Sequence, residues 1–407
     1  MFKSATLLLS LFAALPATAD PLALIEAQNI ALTKQPLLEG QEAMVEANRQ
    51  RAVAEGQLPD PKLKLGLNNV PTESFSLTQD FMTMRTIGIE QTFPGGGKRR
   101  LREQVVDSEV ARSAAELEGM TRAVKRDAAL AWLNLYYSLQ AKALVQEQQR
   151  ESQAQIEAAR INYRAGRGNQ EQVFGAQNML NQLIDREDQL NGEVRRARAG
   201  LARWIGNDAD REVPGDLPSL PAPPPLKELS GRLVNHPEVR VFDETIKAAE
   251  TEARLAGESR KPDWSFELSY SKRGPSFSDL VSAQVAVDLP LFTANRQDRR
   301  AEERRALLDK AHYQRQDKLR SLNAELAAVY SDERIAQERI KLVDQRILPN
   351  AQDRIASTLI AYRAGKATMA NVYEAHHAEV EARLQRLAQS VALLRSRVQL
   401  GYLEGVQ

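Results

Sequence analysis

The sequence predicts a mainly α-helical α+β protein built from two tandem copies of one structural unit. Two short patterns recur about 200 residues apart, since Leu32–Pro36 returns as Leu233–Pro237 and Tyr163–Arg167 returns as Tyr362–Lys366. The order of predicted elements also repeats: each half has a helix, two strands, a very long helix, a glycine-containing turn and a second long helix. Such repetition indicates a pseudo-symmetric fold, for which a tube is a natural form.

Prolines mark the predicted boundary between the halves. Five of them lie between Pro214 and Pro224, followed directly by Pro225. We therefore expect a first repeat over residues 20–212, an extended proline-rich linker over residues 213–226, and a second repeat over residues 227–407.

The first 19 residues predict a secretory signal peptide. Lys3 is followed by an apolar run that is too short to cross a bilayer as a helix, and Ala17-Thr18-Ala19 has the small-x-small pattern of a cleavage site. Cleavage is expected between Ala19 and Asp20.

The composition excludes several classes of protein. The 407 residues carry a net charge of +1, contain no cysteine and are 5% aromatic. A nearly neutral chain does not favour a nucleic-acid-binding protein, and the lack of cysteine excludes disulfides and thiolate metal sites. No Ser/His/Asp arrangement, phosphate loop or zinc-type spacing is present, so we expect no enzyme, no cofactor and no bound metal.

The first half shows helix and strand signals in a clear order. Residues 21–57 are predicted to be helical with a break at Pro36, and strands are expected at 62–70 and at about 82–93. Three glycines then precede a helix that runs from Lys98 to Arg164 with no proline, and a return helix is expected from Asn169 to Ile205.

The second half repeats this course with stronger alternation in its strands. Apolar residues alternate with polar ones from Trp264 to Tyr270 and from Val281 to Leu289. A helix of about 65 residues is then expected to lead to Tyr362, and a final helix to occupy about Thr368 to Gly401.

Four two-faced strands per chain pose a physical problem. They are too few to close a membrane barrel, and an open sheet edge is not tolerated in lipid. If several chains contribute four strands each, three chains supply twelve. The alternative is a soluble β-subdomain with one face packed on the helices. A plain coiled-coil scaffold is a third possibility, but it leaves the strands unexplained.

These features together resemble the TolC family of outer-membrane efflux channels. The resemblance covers the signal peptide, the tandem halves, the strand pairs and the two Tyr-x-x-Gly turns. Four segments are further similar to the heavy-metal branch, the CzcC/CusC type: Leu58–Leu63, Asn68–Pro71, Phe81–Met84 and Gln91–Arg99.

The resemblance implies a homotrimer with a twelve-stranded outer-membrane β-barrel continued by a long periplasmic α-helical barrel. It implies outer-membrane lipid around the barrel, and two protein partners: a periplasmic adaptor and an inner-membrane transporter of the resistance-nodulation-division type. The expected function is efflux of heavy-metal cations. The alternatives are a channel of the same fold for drugs, organic solutes or type I secretion, and a periplasmic adaptor protein.

The resemblance also assigns candidate functional residues. The two turns match the periplasmic tips where the adaptor docks: Tyr163, Arg164, Gly166, Arg167, Tyr362, Arg363, Gly365 and Lys366. The acidic rings that close the aperture in the family correspond to Gln172, Asn371 and Glu374, of which only Glu374 is acidic.

Two histidines, two methionines and a group of basic residues are further candidates for metal, lipid or pore contacts. His376 and His377 are adjacent in a predicted helix, so their side chains diverge and chelation of one ion is not expected. Met82 and Met84 are interpreted as loop or lipid-facing residues rather than as copper ligands. Basic residues at the start of each long helix are expected to meet lipid headgroups or to set the potential of a pore: Lys98, Arg99, Arg100, Arg102, Arg296, Arg299, Arg300, Arg304 and Arg305.

Overall fold

The structure is a computed structural model that describes residues 20–166 and 168–404. The predicted signal peptide, including Ala19, lies outside these residues, and so does Arg167. Asp20 is the first described residue, and its backbone carbonyl accepts hydrogen bonds from Arg211.

Helices dominate the described chain. Their bounds are α1 Leu24–Lys34, α2 Pro36–Glu55, α3 Lys98–Arg164, α4 Gln170–Ile205, α5 Leu226–Arg232, α6 Pro237–Glu258, α7 Gln297–Leu342, α8 Leu348–Arg363 and α9 Met369–Glu404. Short 3₁₀ turns occupy Gly206–Asp210, Leu233–Asn235 and Thr293–Asn295. The uninterrupted helix predicted from Lys98 to Arg164 is confirmed, as is the break before Pro36.

The predicted helix of about 65 residues is confirmed, since helical structure runs from Gln297 to Arg363, but it contains one irregular turn. A π-helical turn at Val343–Ile347 separates α7 from α8. Pro349, in the first turn of α8, explains the interruption, because proline has no N–H to donate to the carbonyl four residues earlier and its ring crowds that carbonyl.

Four strands form one antiparallel sheet in the order β1-β2-β3-β4. Their bounds are β1 Lys62–Asn68, β2 Met84–Phe93, β3 Trp264–Lys272 and β4 Leu280–Val287. The central pair joins the two halves of the chain, since β2 pairs with β3 from Arg85 opposite Lys272 to Phe93 opposite Trp264. Strands β1 and β4 are the edges of this sheet.

The chain divides into two compact units, each of which draws segments from both predicted repeats. One unit contains residues up to Lys34, Val124–Ala222 and Asp332–Val398. Its buried contacts include Ala141, Val145, Leu183 and Leu384, which pack α3, α4 and α9 against each other. The boundaries of the tandem repeats remain a prediction.

The other unit contains Gln35–Ala123, Pro223–Ser331 and the residues from Gln399 onward. It includes the sheet and a core of leucines, among them Leu229, Leu322, Leu326 and Leu400. His236 is buried beside this core and caps α6: its Nδ1 accepts the N–H of Glu238 over 3.3 Å, and its Nε2 lies 3.3 Å from the carbonyl oxygen of Tyr402.

Candidate functional site

The two faces of the sheet differ in chemistry. Large apolar side chains from all four strands share one face and are 41 to 74% exposed: Leu63, Leu65, Leu67, Ile87, Ile89, Trp264, Phe266, Leu268, Tyr270, Val281, Val285 and Val287. On this face the rings of Phe93 and Trp264 stack with centroids 4.3 Å apart. The opposite face carries mainly small and polar residues. An uncovered apolar surface of this extent marks an interaction site.

The turn that follows β2 is held by a close backbone contact. A Cβ atom at Gly95 would lie 1.8 Å from the carbonyl oxygen of Pro262, a separation that only glycine permits. The N–H of Gly95 donates to Asp263 over 2.6 Å, and Lys98 donates to the same carboxylate over 2.8 Å. Burial raises the pKa of Asp263, but these two donors outweigh it and the net pKa is lowered. The segment from Gly95 to Lys98 therefore has a structural role: it fixes the turn after β2 to the residues that precede β3.

The basic residues at the helix starts fall into two groups. Lys98 is buried and paired with Asp263, and Arg304 pairs with Glu252 over 2.9 Å. Other members, such as Arg99 and Arg300, are exposed. Their expected contact with lipid headgroups or influence on a pore remains a prediction.

Both Tyr-Arg-Ala-Gly segments form tight turns between antiparallel helices. Gly166 and Gly365 have φ angles of +68° and +71°, the left-handed conformation that ends helices at glycine. After the first turn, the side chain of Asn169 caps α4 by accepting the N–H of Gln172 over 3.0 Å. The turns thus form at the predicted glycines.

The side chains at the two turns are not equivalent. Arg164, Arg363 and Lys366 are exposed, whereas the tyrosines differ. Tyr163 is 48% exposed, while Tyr362 packs against the buried cluster of Ile156, Ala176, Met369, Val372 and Tyr373. The first turn therefore presents a free aromatic ring and the second does not.

The three aperture candidates lie close to the turns and have different partners. Gln172 and Glu374 line one cavity of about 450 Å³ between the starts of α4 and α9. Glu374 faces Arg354 at 3.6 Å, so its charge is partly compensated. Asn371 accepts hydrogen bonds from the N–H and the hydroxyl of Thr368, at 3.0 and 2.7 Å, and so belongs to the cap of α9.

Tyr373 is a residue of this cavity that the sequence analysis missed. It is 7% exposed, and its hydroxyl has no hydrogen-bond partner among the residues that the structure describes. Burial raises its pKa to about 12, with a smaller contribution from Tyr362. A tyrosine at helical spacing ordinarily indicates a core residue. The sequence therefore gives no indication that the hydroxyl of Tyr373 lacks a partner among the described residues.

The adjacent histidines diverge, as expected from helix geometry. His377 lines the cavity near Glu374, whereas His376 is half-buried with its Nδ1 at 3.7 Å from Glu151. In the described part of the chain, no three His, Asp or Glu side chains are grouped where they could hold a metal ion.

The methionines of the first loop lie at the start of β2. Met84 is the first residue of this strand and Met82 precedes it in the loop, where it is 47% exposed.

Over residues 20–166 and 168–404, no helix combines the length and the apolarity needed to cross a membrane.

Sequence comparison connects the chain with outer-membrane efflux proteins. The family described as "Outer membrane efflux protein" matches residues 229–406. The cobalt-zinc-cadmium resistance protein CzcC of Cupriavidus metallidurans is 23% identical over 201 residues, which cover 49% of this chain and 48% of CzcC. The chain thus matches about half the length of this curated relative.

Structural comparison extends the likeness to almost the whole chain. The outer membrane protein VceC of Vibrio cholerae superposes with a TM-score of 0.79 at 19% identity, covering 94% of this chain and 96% of VceC. CusC superposes with a TM-score of 0.79 at 15% identity, covering 94% and 92%. Both comparisons show the same fold.

The predicted mainly helical α+β fold class, with four strands in one sheet, is therefore confirmed. Residues 229–406 of this protein match the outer membrane efflux protein family, and the described chain has a TolC-like fold.

Proposed function

We propose that this protein is the outer-membrane channel of a tripartite efflux system and acts as a homotrimer. The observation that carries the proposal is the uncovered apolar face of the four-stranded sheet. In water such a face, flanked by two open edges, promotes aggregation. In lipid the face is compatible with its surroundings, provided that every backbone group at the edges is paired.

The strand order supports closure by further copies of the chain. Because the sheet has four antiparallel strands, β1 and β4 run in opposite directions. β4 of one copy can therefore pair antiparallel with β1 of the next, and every junction in the ring is the same. Four strands are too few for a closed barrel, whereas three copies supply twelve, within the known range.

Cysteine cross-linking tests this assembly directly, because the natural chain contains no cysteine. One cysteine at Leu65 in β1 is combined with single cysteines along β4, from Val281 to Val287. We expect disulfide-linked oligomers up to the trimer in isolated outer membranes. As a control, cysteines at Ile89 and Leu268, which are directly paired in the sheet, should cross-link within one chain.

Two results would contradict the proposal. One is the recovery of the protein away from the outer-membrane fraction. The other is intrachain cross-linking by the control pair without cross-linking between copies at any β4 position.

Heavy-metal cations are the proposed cargo. Support comes from the likeness to CzcC and from the segments that resemble the heavy-metal branch. The second candidate is a drug or organic-solute channel of the same fold. An adaptor protein is not supported, because the fold is TolC-like.

A deletion strain separates the two candidate cargoes. Its growth is compared with that of the complemented strain on Cu, Ag, Zn, Co, Cd and Ni salts and on antibiotics and detergents. Sensitisation to a group of metals supports the proposed cargo, whereas sensitisation to organic compounds alone overturns it and leaves the channel in place.

Docking of an adaptor is proposed for the two helical turns. The exposed Arg164, Arg363 and Lys366 and the exposed ring of Tyr163 provide a basic, partly aromatic surface. Arg363→Glu combined with Lys366→Glu should abolish resistance while the trimer still forms. The matched double change of Arg299 and Arg305, which are exposed at the start of α7, should leave docking intact. Equal loss in both variants would contradict docking at the turns.

A further inference from the structure

Six charged residues occur in the four strands, and four of them meet on the polar face of the sheet. Arg85 and Lys272 pair across β2 and β3 on the other face. The remaining four form what we call the strand charge cluster: Lys62, Lys64, Glu90 and Glu267. The rest of the polar face is uncharged along the strands and rich in glycine, serine and threonine.

Two carboxylates of the strand charge cluster are placed directly opposite each other. Glu90 of β2 pairs with Glu267 of β3, an arrangement of like charges that destabilises a sheet. Their side chains are only 15 and 20% exposed, so water screens this repulsion incompletely.

Lys64 relieves the repulsion by lying between the two carboxylates. Its Nζ donates to Glu267 over 2.6 Å and also contacts Glu90. Lys62 lies farther out, with its Nζ 3.9 Å from Glu90. The ammonium of Lys64 thus occupies the position where a free cation would otherwise bind two carboxylates.

We propose that Lys64 acts as a tethered counter-ion that keeps exported cations from binding to the wall of the duct. This inference rests on the proposed trimeric channel, in which the polar face lines the lumen and three copies of the strand charge cluster lie at one level. A conducting pore must bind ions weakly enough to release them. With Lys64 in place the carboxylate pair is filled, and without it the pair becomes a site for divalent cations.

The first measurement is the ionic permeability of the purified trimer in planar bilayers under a KCl gradient. In Lys64→Gln, we expect the permeability ratio of K⁺ to Cl⁻ to rise roughly three- to tenfold, because low-dielectric walls strengthen the field of uncompensated carboxylates. Glu267→Gln should shift the ratio towards Cl⁻. Lys272→Gln is the matched control, since it removes the same charge from the other face of the sheet.

The second measurement does not depend on current through the pore. Ca²⁺ prefers carboxylate oxygens, and a ligand that binds the folded state raises the melting temperature. Millimolar Ca²⁺ should therefore raise the melting temperature of Lys64→Gln and not that of the natural protein, of Lys272→Gln or of the double variant Lys64→Gln/Glu267→Gln.

The outcomes separate this inference from the proposed function. Unchanged selectivity in Lys64→Gln together with no Ca²⁺ effect overturns the role of Lys64 while leaving the channel intact. If Lys64→Gln does not assemble, an unchanged permeability ratio in Glu267→Gln overturns it. If the natural protein forms neither trimers nor pores, the proposed function fails and the inference fails with it.

Discussion

Asp344 and Arg386 are joined by two hydrogen bonds: the Nε–H of Arg386 donates to one carboxylate oxygen over 2.6 Å, and an Nη2–H donates to the other over 3.4 Å. Asp344 lies in the π-helical turn, whereas Arg386 lies in α9. The pair therefore links the π-helical turn that precedes Pro349 to the neighbouring helix α9.

Breaking this pair should loosen the segment from Val343 to Arg363. Asp344→Asn or Arg386→Gln should lower the free energy of unfolding by only about 0.5–1 kcal/mol, because both side chains are partly exposed to water. Hydrogen exchange measured by mass spectrometry should become faster in this segment. The charge swap Asp344→Arg/Arg386→Asp should restore slow exchange, and a swap as fast as the single variants would contradict the role of the pair.

Two tyrosine-to-phenylalanine changes should have different effects on stability. The hydroxyl of Tyr136 donates to the carbonyl of Gly215 over 2.8 Å, so Tyr136→Phe should destabilise the protein by about 1 kcal/mol. Tyr373→Phe should be neutral or stabilising by up to about 1 kcal/mol, since it removes a buried hydroxyl that has no partner in the described residues. Denaturant titration of both variants checks this, and an equal loss in the two would contradict it.

Stability should fall in mild acid because of His236. Burial lowers its pKa, and the opposing effects of Glu238 and of the Tyr402 carbonyl do not cancel that shift. The unfolded chain therefore binds the proton more readily than the folded one, and stability is lost as the pH falls below the unfolded value of about 6.5 towards the lower folded pKa. The contact in which Nδ1 accepts the N–H of Glu238 also requires the neutral ring, whereas Nε2 can donate to the Tyr402 carbonyl in either state.

The corresponding measurement is the melting temperature between pH 7.5 and pH 5. His236→Asn retains a capping acceptor but does not titrate, so its stability should depend less on pH than that of the natural protein. His312→Asn changes an exposed histidine and should keep the natural slope. Parallel curves for the natural protein and His236→Asn would count against this explanation.

Adding one methyl group should have very different effects at Gly95 and at Gly97, which both follow β2. Gly95→Ala should destabilise the protein by about 2 kcal/mol or more, because its Cβ would overlap the carbonyl oxygen of Pro262. Gly97→Ala has no atom within 4 Å of the new Cβ and should change stability by less than about 0.5 kcal/mol. The yield of folded protein and its melting temperature report both effects. A tolerated Gly95→Ala would show that the loop at Pro262 moves easily.

Much of the fold was predictable because its signals are local. Period-two alternation identifies the strands, and the absence of proline between Lys98 and Arg164 indicates one helix. Glycine at the turns specifies the left-handed backbone. Pro349 is a local signal for the π-helical turn before α8, although proline is also tolerated in the first turn of a helix.

The functional surfaces were less predictable because they depend on distant pairing. The strand charge cluster arises only from the register that sets Glu90 opposite Glu267, about 180 residues later in the chain. The different exposure of Tyr163 and Tyr362 likewise comes from neighbours that their shared Tyr-Arg-Ala-Gly pattern does not encode. For Asn371, in contrast, the preceding Thr368 is a local capping signal that sequence reasoning could have used.

The pairing of β2 with β3 also dictates an order of folding. The hairpin of β1 and β2 is synthesised first, but its partner strand begins only at Trp264. Until residues 94–263 have followed, the edge of β2 that pairs with β3 has no partner strand. A chaperone that shields an unpaired strand edge would therefore be needed most during this interval.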